Sequence, residues 1–227
     1  MAIRTTSLGG TDWGAERILA EDLNDTLGEL KSRVDTLTCF WLNSDLYTVY
    51  DDFDSYGTGA FASNSDWTVA TADSGGSSSV TVASSTNAGG TSQELVLTAV
   101  GAFAGGSTAS VETLNASANS HKTCKMKLVT TGGGNAGATH TVKLTLNSID
   151  YTLASYNAND NMNITAYPSF YIIAKGSNVY DIYSSNTKIA SDVTSADPNF
   201  KITLTTGNNS DNCKLYIDDV VESVGTV

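Results

Sequence analysis

Three carboxylates, Asp51, Asp52 and Asp54, stand within four residues of one another. Paired carboxyls are the machinery of glycoside cleavage, which needs two of them at a set separation across the scissile bond. Nothing in the sequence marks a second acid opposite this group. The triplet is therefore expected to be the solvated start of a strand or a weak cation site. His121 and His140 lie far apart, with no matching Ser or Cys motif. There is no Gly-x-Ser-x-Gly, no His-Glu-x-x-His, and no phosphate loop. Gly132-Gly133-Gly134 lacks the Lys-Ser/Thr that a phosphate cradle requires, and is expected to be a flexible turn. An active site needs a convergent set of titratable groups. The sequence shows none, so a non-enzymatic protein without a cofactor is expected.

Hard cations want clustered carboxylate and carbonyl oxygens. Asn157-Ala158-Asn159-Asp160-Asn161 and Asn208-Asn209-Ser210-Asp211-Asn212 offer such oxygens, so calcium is the one metal to consider. Neither run has the spaced acids of a helix-loop-helix calcium site. Asn- and Asp-rich turns also arise for backbone reasons alone, and plain turns are expected. Cys39, Cys124 and Cys213 are too widely separated for a zinc site or a disulfide framework. Buried free thiols are expected, with a Cys124–Cys213 bridge as the alternative. Of ten tyrosines, Tyr151, Tyr156, Tyr167, Tyr171, Tyr180 and Tyr183 gather in the second half of the chain. Alternation along strands should turn some of them outward, where Tyr151, Tyr156, Tyr180 and Tyr183 are the candidate glycan contacts. The alternative is that they cover sheet faces or a subunit interface, where Tyr is favoured anyway.

The elements that must carry these residues follow from composition and periodicity. The 227 residues include 24 acidic and 12 basic ones, giving a formal charge of −12. That excludes a general nucleic-acid binder, which needs clustered Lys and Arg. Lys122, Lys125 and Lys127, beside His121, form the one basic cluster and read as the solvent face of a strand. No apolar run is long enough to span a membrane. No basic-then-apolar leader marks the N-terminus, and synthesis in a cytoplasm is expected. Residues 1–15 form an arm with Ile3, Leu8 and Trp13 but no periodic pattern. Residues 16–45 hold one amphipathic helix and a linker. Its apolar stripe, Leu23, Leu27, Leu30, Val34 and Leu37, steps by four and three, the seam of a coiled coil. A single helix of this length is marginal alone, so self-association through that seam is expected.

From residue 46 onward period two takes over. Val80/Val82, Leu95/Leu97/Ala99, Met126/Leu128, Val142/Leu144/Leu146, Phe170/Ile172/Ala174, Ile202/Leu204 and Leu215/Ile217 alternate with polar residues. Gly- and Asn-rich turns separate them. Many short strands of this kind imply an antiparallel sandwich or barrel.

Two resemblances sharpen this reading. Gly10-Thr11-Asp12-Trp13-Gly14 followed by Ala20-Glu21-Asp22-Leu23-Asn24-Asp25-Thr26 resembles the opening of virion appendage proteins of tailed phages and related viruses. Tyr50-Asp51-Asp52-Phe53-Asp54, Trp67-Thr68-Val69, Phe170–Ala174, Val179–Tyr183, Phe200–Thr205 and Lys214–Val220 resemble concanavalin-like (laminin-G-like) domains. The resemblances imply a mainly β fold, an antiparallel jelly-roll β-sandwich over 46–227 preceded by an extended arm and one N-terminal α-helix. They imply a virion structural protein, such as a head fibre, decoration protein or tail appendage. The arm would anchor to capsid or tail proteins, the helix would form a homo-oligomer, expected to be a trimer, and the sandwich would be displayed. The alternative is a module that binds a receptor or host surface glycans.

Overall fold

The computed structural model describes residues 47–89, 92–101, 105–131, 138–158, 164–207 and 212–224. The arm, the helix and its seam (Leu23, Leu27, Leu30, Val34, Leu37), the anchoring residues Ile3, Leu8 and Trp13, and Cys39 lie outside them. So does most of both Asn-rich runs considered for calcium.

Among the described residues every regular element is a β-strand, as alternating apolar and Ser/Thr-rich sequence dictates. In chain order the first are β1 (Tyr47–Asp51), β2 (Gly59–Ala60), β3 (Trp67–Asp73), β4 (Ser77–Ala83) and β5 (Glu94–Val100). Next come β6 (Ser107–Thr113), β7 (Ser120–Thr131), β8 (Ala138–Leu146), β9 (Ile149–Ala158) and β10 (Ile164–Ala166). The last are β11 (Phe170–Gly176), β12 (Val179–Ser184), β13 (Thr187–Thr194), β14 (Phe200–Thr206) and β15 (Asn212–Val224). They make two antiparallel sheets. A ten-stranded sheet runs β13-β12-β11-β7-β15-β5-β4-β2, with β1 also on β15 and β10 also on β7. A five-stranded sheet runs β3-β6-β14-β8-β9. The chain crosses between sheets repeatedly, for example from β5 to β6 and from β14 to β15. The result is a jelly-roll-like sandwich.

Its core is the pair of inner faces. The ten-stranded sheet contributes Leu95, Leu97, Leu128, Ile172, Leu215 and Ile217, and the five-stranded sheet Val111, Val142, Leu144, Ile202 and Leu204. All the apolar pairs and triplets read from the sequence are buried here. Phe170 and Phe200 join the layers edge-on, with centroids 5.4 Å apart. Cys124 is a buried free thiol, so no Cys124–Cys213 bridge forms; Cys213 is buried as well. Two hairpins turn on Asn147-Ser148 and Ser177-Asn178, all four at positive φ. That is the geometry which matches the twist of the strands it joins, and Asn tolerates it best among non-glycines.

The Asp51–Asp54 segment is a structural clamp. The buried Asp51 carboxylate accepts from the Trp67 indole (2.7 Å), the Tyr56 hydroxyl (2.9 Å) and the Phe53 amide (2.8 Å). Asp52 accepts from the Asp54 amide, and Asp54 from the Gln93 amide and the Ser92 hydroxyl. These bonds seat Trp67 against Phe53 and Tyr50 (centroids 5.6 and 5.4 Å) at one end of the core. The triplet staples loops together and presents no open acid pair.

Candidate functional site

The two outer faces of the sandwich differ in kind. Alternation places Thr203 and Thr205 of β14, Thr141 and Thr145 of β8, Thr108 of β6 and Thr68 of β3 outside the five-stranded sheet. No described strand of that sheet adds an aromatic residue to this face. The ten-stranded sheet turns tyrosines outward instead. Tyr171 and Tyr183 stand directly opposite each other on β11 and β12, between the inward Ile172 and Ile182. Tyr216 of β15 stands between Lys127 of β7 and Val96 of β5, flanked by the inward Leu215 and Ile217. The β10–β11 connection carries Tyr167, 67 % exposed. Ala166 pairs with Leu128 and Ile172 with Lys122, one continuous register that brings Tyr167 level with Lys127.

Of the expected glycan contacts, Tyr183 alone belongs to this face. Tyr180 is fully buried, packed in the core with its hydroxyl accepting from the Asn119 amide (3.2 Å). Three positions separate it from Tyr183, which puts the two on opposite faces of β12. Tyr151 and Tyr156 pack against the core from β9, on the other sheet. A bulge opposite Val142 and Lys143 shifts the phase of β9. That shift sends both inward, where a regular strand would have split them. The expected quartet is thus not a platform. Tyr216 was not among the expected contacts, although its signal was present: it alternates with Leu215 and Ile217.

The basic cluster also divides. Lys125 and Lys127 point outward, but Lys122 is in phase with Cys124 and Met126 and is fully buried. Its ammonium donates to the Ser117 carbonyl (2.7 Å) and the Ser120 hydroxyl (2.7 Å). It lies 3.8 Å from Glu222 and 5.6 Å from the Tyr180 ring centroid. Burial pulls its pKa down to about 8, against the pull of Glu222. This is an end seal of the sandwich, not a solvent face.

Charged groups frame the tyrosine face. At the β12–β13 margin Lys188 donates to Asp181 (2.6 Å) and lies 5.4 Å from the Tyr183 centroid. Lys175 donates to Asp192 (2.6 Å) and lies 3.7 Å from Asp181. Toward the centre, residues 84–89 fold over the sheet and are held by the buried Glu94. That carboxylate accepts from the Ala88 amide (2.8 Å), the Asn87 amide (3.1 Å) and the Ser85 hydroxyl. Lys125 donates to the Gly89 carbonyl (3.1 Å) and pairs with Asp219; Lys127 donates to the Asn87 amide oxygen (3.3 Å). Beside them Asp218 is 1 % exposed, and its Oδ2 is buried without a hydrogen-bond partner. Desolvation, with the charges of Asp219 and Glu94, lifts its pKa to about 7.

Among the described residues, no three His, Cys, Asp or Glu side chains converge as a metal site. No helix there is long and apolar enough to cross a membrane.

No protein-family model and no curated protein matches the chain. Solved structures do resemble it. One comes from work on endo-acting O-glycanases of human gut microbiota that initiate mucin breakdown: 11 % identity over 77 % of this chain and 97 % of that one, TM-score 0.45. Another is the family 11 carbohydrate-binding module of Clostridium thermocellum with a β-1,3-1,4-mixed-linked tetrasaccharide. It shows 14 % identity over 80 % of this chain and 97 % of that one, TM-score 0.37. A third is the enzymatically active domain of tailspike protein 4 from bacteriophage CBA120: 14 % identity over 71 % of this chain and 20 % of that one, TM-score 0.32. At these identities and scores the likenesses assign this chain no ligand, activity or partner.

Asp218 gives the site a pH signature. Its folded pKa, about 7, lies above the ordinary 3.8, so the folded protein favours the protonated form. The stability this contributes is complete below about pH 4 and is lost as pH rises through 7. Asp218→Asn removes the dependence. Urea unfolding of both proteins should show the variant gaining on wild type by up to about 1.4 kcal/mol per pH unit within that window. A constant gap from pH 4 to 8 would mean that Asp218 is not held neutral.

Proposed function

We propose that this chain is a non-catalytic glycan-binding β-sandwich whose ligand lies along the outer face of the ten-stranded sheet. One observation carries the reading. Tyr167, Tyr171, Tyr183 and Tyr216 share that face, while the opposite face carries threonines with Lys143, Lys201 and Glu112 and no aromatic residue from its described strands. Tyrosine offers a flat apolar ring for the C–H face of a sugar and a hydroxyl for its polar rim. The strands beneath hold the rings at little entropic cost on binding. The fold alone would support no such assignment, since one sandwich hosts many functions. Most of the carboxylates on the face are occupied: Asp181 and Asp192 by lysines, Glu94 by the folded-over loop. That favours binding over cleavage.

Affinity electrophoresis of the full chain against a polysaccharide panel tests this. Retention by at least one polysaccharide is expected, without release of reducing sugar. Tyr167→Ala with Tyr216→Ala should weaken it about tenfold, or ~1.4 kcal/mol. Tyr151→Phe, on the inner face of the other sheet, should leave it unchanged. Turnover of a retained polysaccharide would make the protein an enzyme. Retention indifferent to the tyrosine pair would place the ligand elsewhere.

A second reading concerns where the module is carried, and rests on residues 10–26, which resemble virion appendage openings. In it the arm (Ile3, Leu8, Trp13) docks on a capsid or tail protein. The Leu23–Leu37 seam makes a homotrimer, and the sandwich faces host glycans from the virion surface. Deleting residues 1–14 should leave a soluble oligomer that no longer joins particles. Wild-type incorporation of the truncated chain would remove the arm as the anchor.

A further inference from the structure

The proposed face gathers most of the lysines among the described residues. The protein carries a formal charge of −12. Yet of the eight lysines among the described residues, five (Lys125, Lys127, Lys175, Lys188 and Lys214) project from the outer face of the ten-stranded sheet or its margin. Lys143 and Lys201 lie on the other sheet, and Lys122 is buried.

Their partners separate them further. Lys175 and Lys188 are neutralised by Asp192 and Asp181, and Lys125 by Asp219. Lys127 and Lys214 are not. Lys127 donates to a neutral amide oxygen of Asn87, and no carboxylate among the described residues pairs with it. Lys214 is exposed and likewise has no carboxylate partner among the described residues. Both sit beside Tyr216. Lys127 is its cross-strand neighbour, and Lys214 lies two residues along β15 on the same face, about 7 Å away. Tyr167 is level with Lys127. Two ammonium groups without a direct carboxylate contact therefore stand beside Tyr216, Lys127 being joined to the buried Glu94 only through the Asn87 side-chain amide. Exposed acidic residues elsewhere on the chain reach them only weakly, because exposed charges more than about 8 Å apart are screened at physiological salt.

We propose that this face selects acidic glycans, with Lys127 and Lys214 pairing with sugar carboxylate or sulfate groups while Tyr216 and Tyr167 support the ring. The inference rests on the glycan-binding reading above. The lysines set the class of sugar and the tyrosines supply the surface. The paired lysines at the β12–β13 margin add no net charge, which confines selection to the β7–β15 centre.

Polygalacturonate supplies carboxylate, chondroitin sulfate supplies carboxylate and sulfate, and mixed-linked β-glucan supplies neither. Affinity electrophoresis of the full chain should show stronger retention on one or both acidic polymers, weakening as salt is raised. Lys127→Gln with Lys214→Gln should weaken that retention about five- to tenfold and remove most of its salt dependence, as expected for two exposed ion pairs. Both residues project to solvent, and circular dichroism should confirm an unchanged fold. The relative loss on the two acidic polymers reports whether sulfate adds to carboxylate. Equal retention on β-glucan, indifferent to the lysine pair but lost with Tyr216→Ala, would overturn the selection and leave the binding reading intact. Retention on no polysaccharide would overturn both. Single-stranded DNA bound as tightly as the acidic glycans would show a general polyanion surface, and would overturn the selection too.

Discussion

The centre of the outer face depends on the register of β15 between β5 and β7. This strand pairs Leu215 with Leu97 and Leu128, and Ile217 with Leu95 and Met126. That phase sends Cys213, Leu215, Ile217 and Val220 inward, and Lys214 and Tyr216 outward. A slip of one residue would exchange the two sets. Burying a large apolar side chain is worth on the order of 2 kcal/mol, so exposing Leu215, Ile217 and Val220 would cost about 6 kcal/mol. Domains of this kind are stable by only about 5–15 kcal/mol, so the slipped strand has no competitive fold. The core thus fixes where the tyrosines stand, although none of the four belongs to it.

The same phase rule explains where polar groups are costly and how they are met. Lys122 is in step with the core residues of β7 and cannot reach solvent. Ser117, Ser120, Glu222 and the Tyr180 ring surround it instead. Asp51 is buried by its position at the end of β1, and three donors answer its carboxylate. Burial of an ion without such partners would cost several kcal/mol. Asp218 is the contrasting case: one oxygen has no partner, and desolvation lifts the carboxyl's pKa to about 7. It precedes a bulge in the ladder, where Asp219 takes positive φ and β15 changes phase before Val221.

Much of the sandwich was legible as alternation. The seven apolar pairs and triplets read from the sequence all face the core, because a regular strand has period two and the pattern shows it directly. The face of a given tyrosine was legible only where the strand is regular and its phase known. Tyr180 and Tyr183 are separated by an odd number of positions and had to lie on opposite faces; the apolar Ile182 decides which is buried. Tyr151 and Tyr156 are also an odd number apart, yet share a face, because the β9 bulge inserts a residue that no local composition announces. Lys122 looked like its neighbours Lys125 and Lys127 by type, and differs only by phase. Which strands of the two sheets are neighbours, and hence that Tyr216 joins Tyr167 through Lys127, is a long-range fact that periodicity does not contain.

On the proposed function, glycan meets the tyrosine face of the ten-stranded sheet. Amide chemical-shift mapping with a retained oligosaccharide would locate the contact residue by residue. Perturbations should concentrate at Tyr167, Tyr171, Tyr183 and Tyr216 and at the neighbouring Lys127 and Lys214. Perturbations confined to the threonine face of the five-stranded sheet, around Thr141, Thr203 and Thr205, would contradict it.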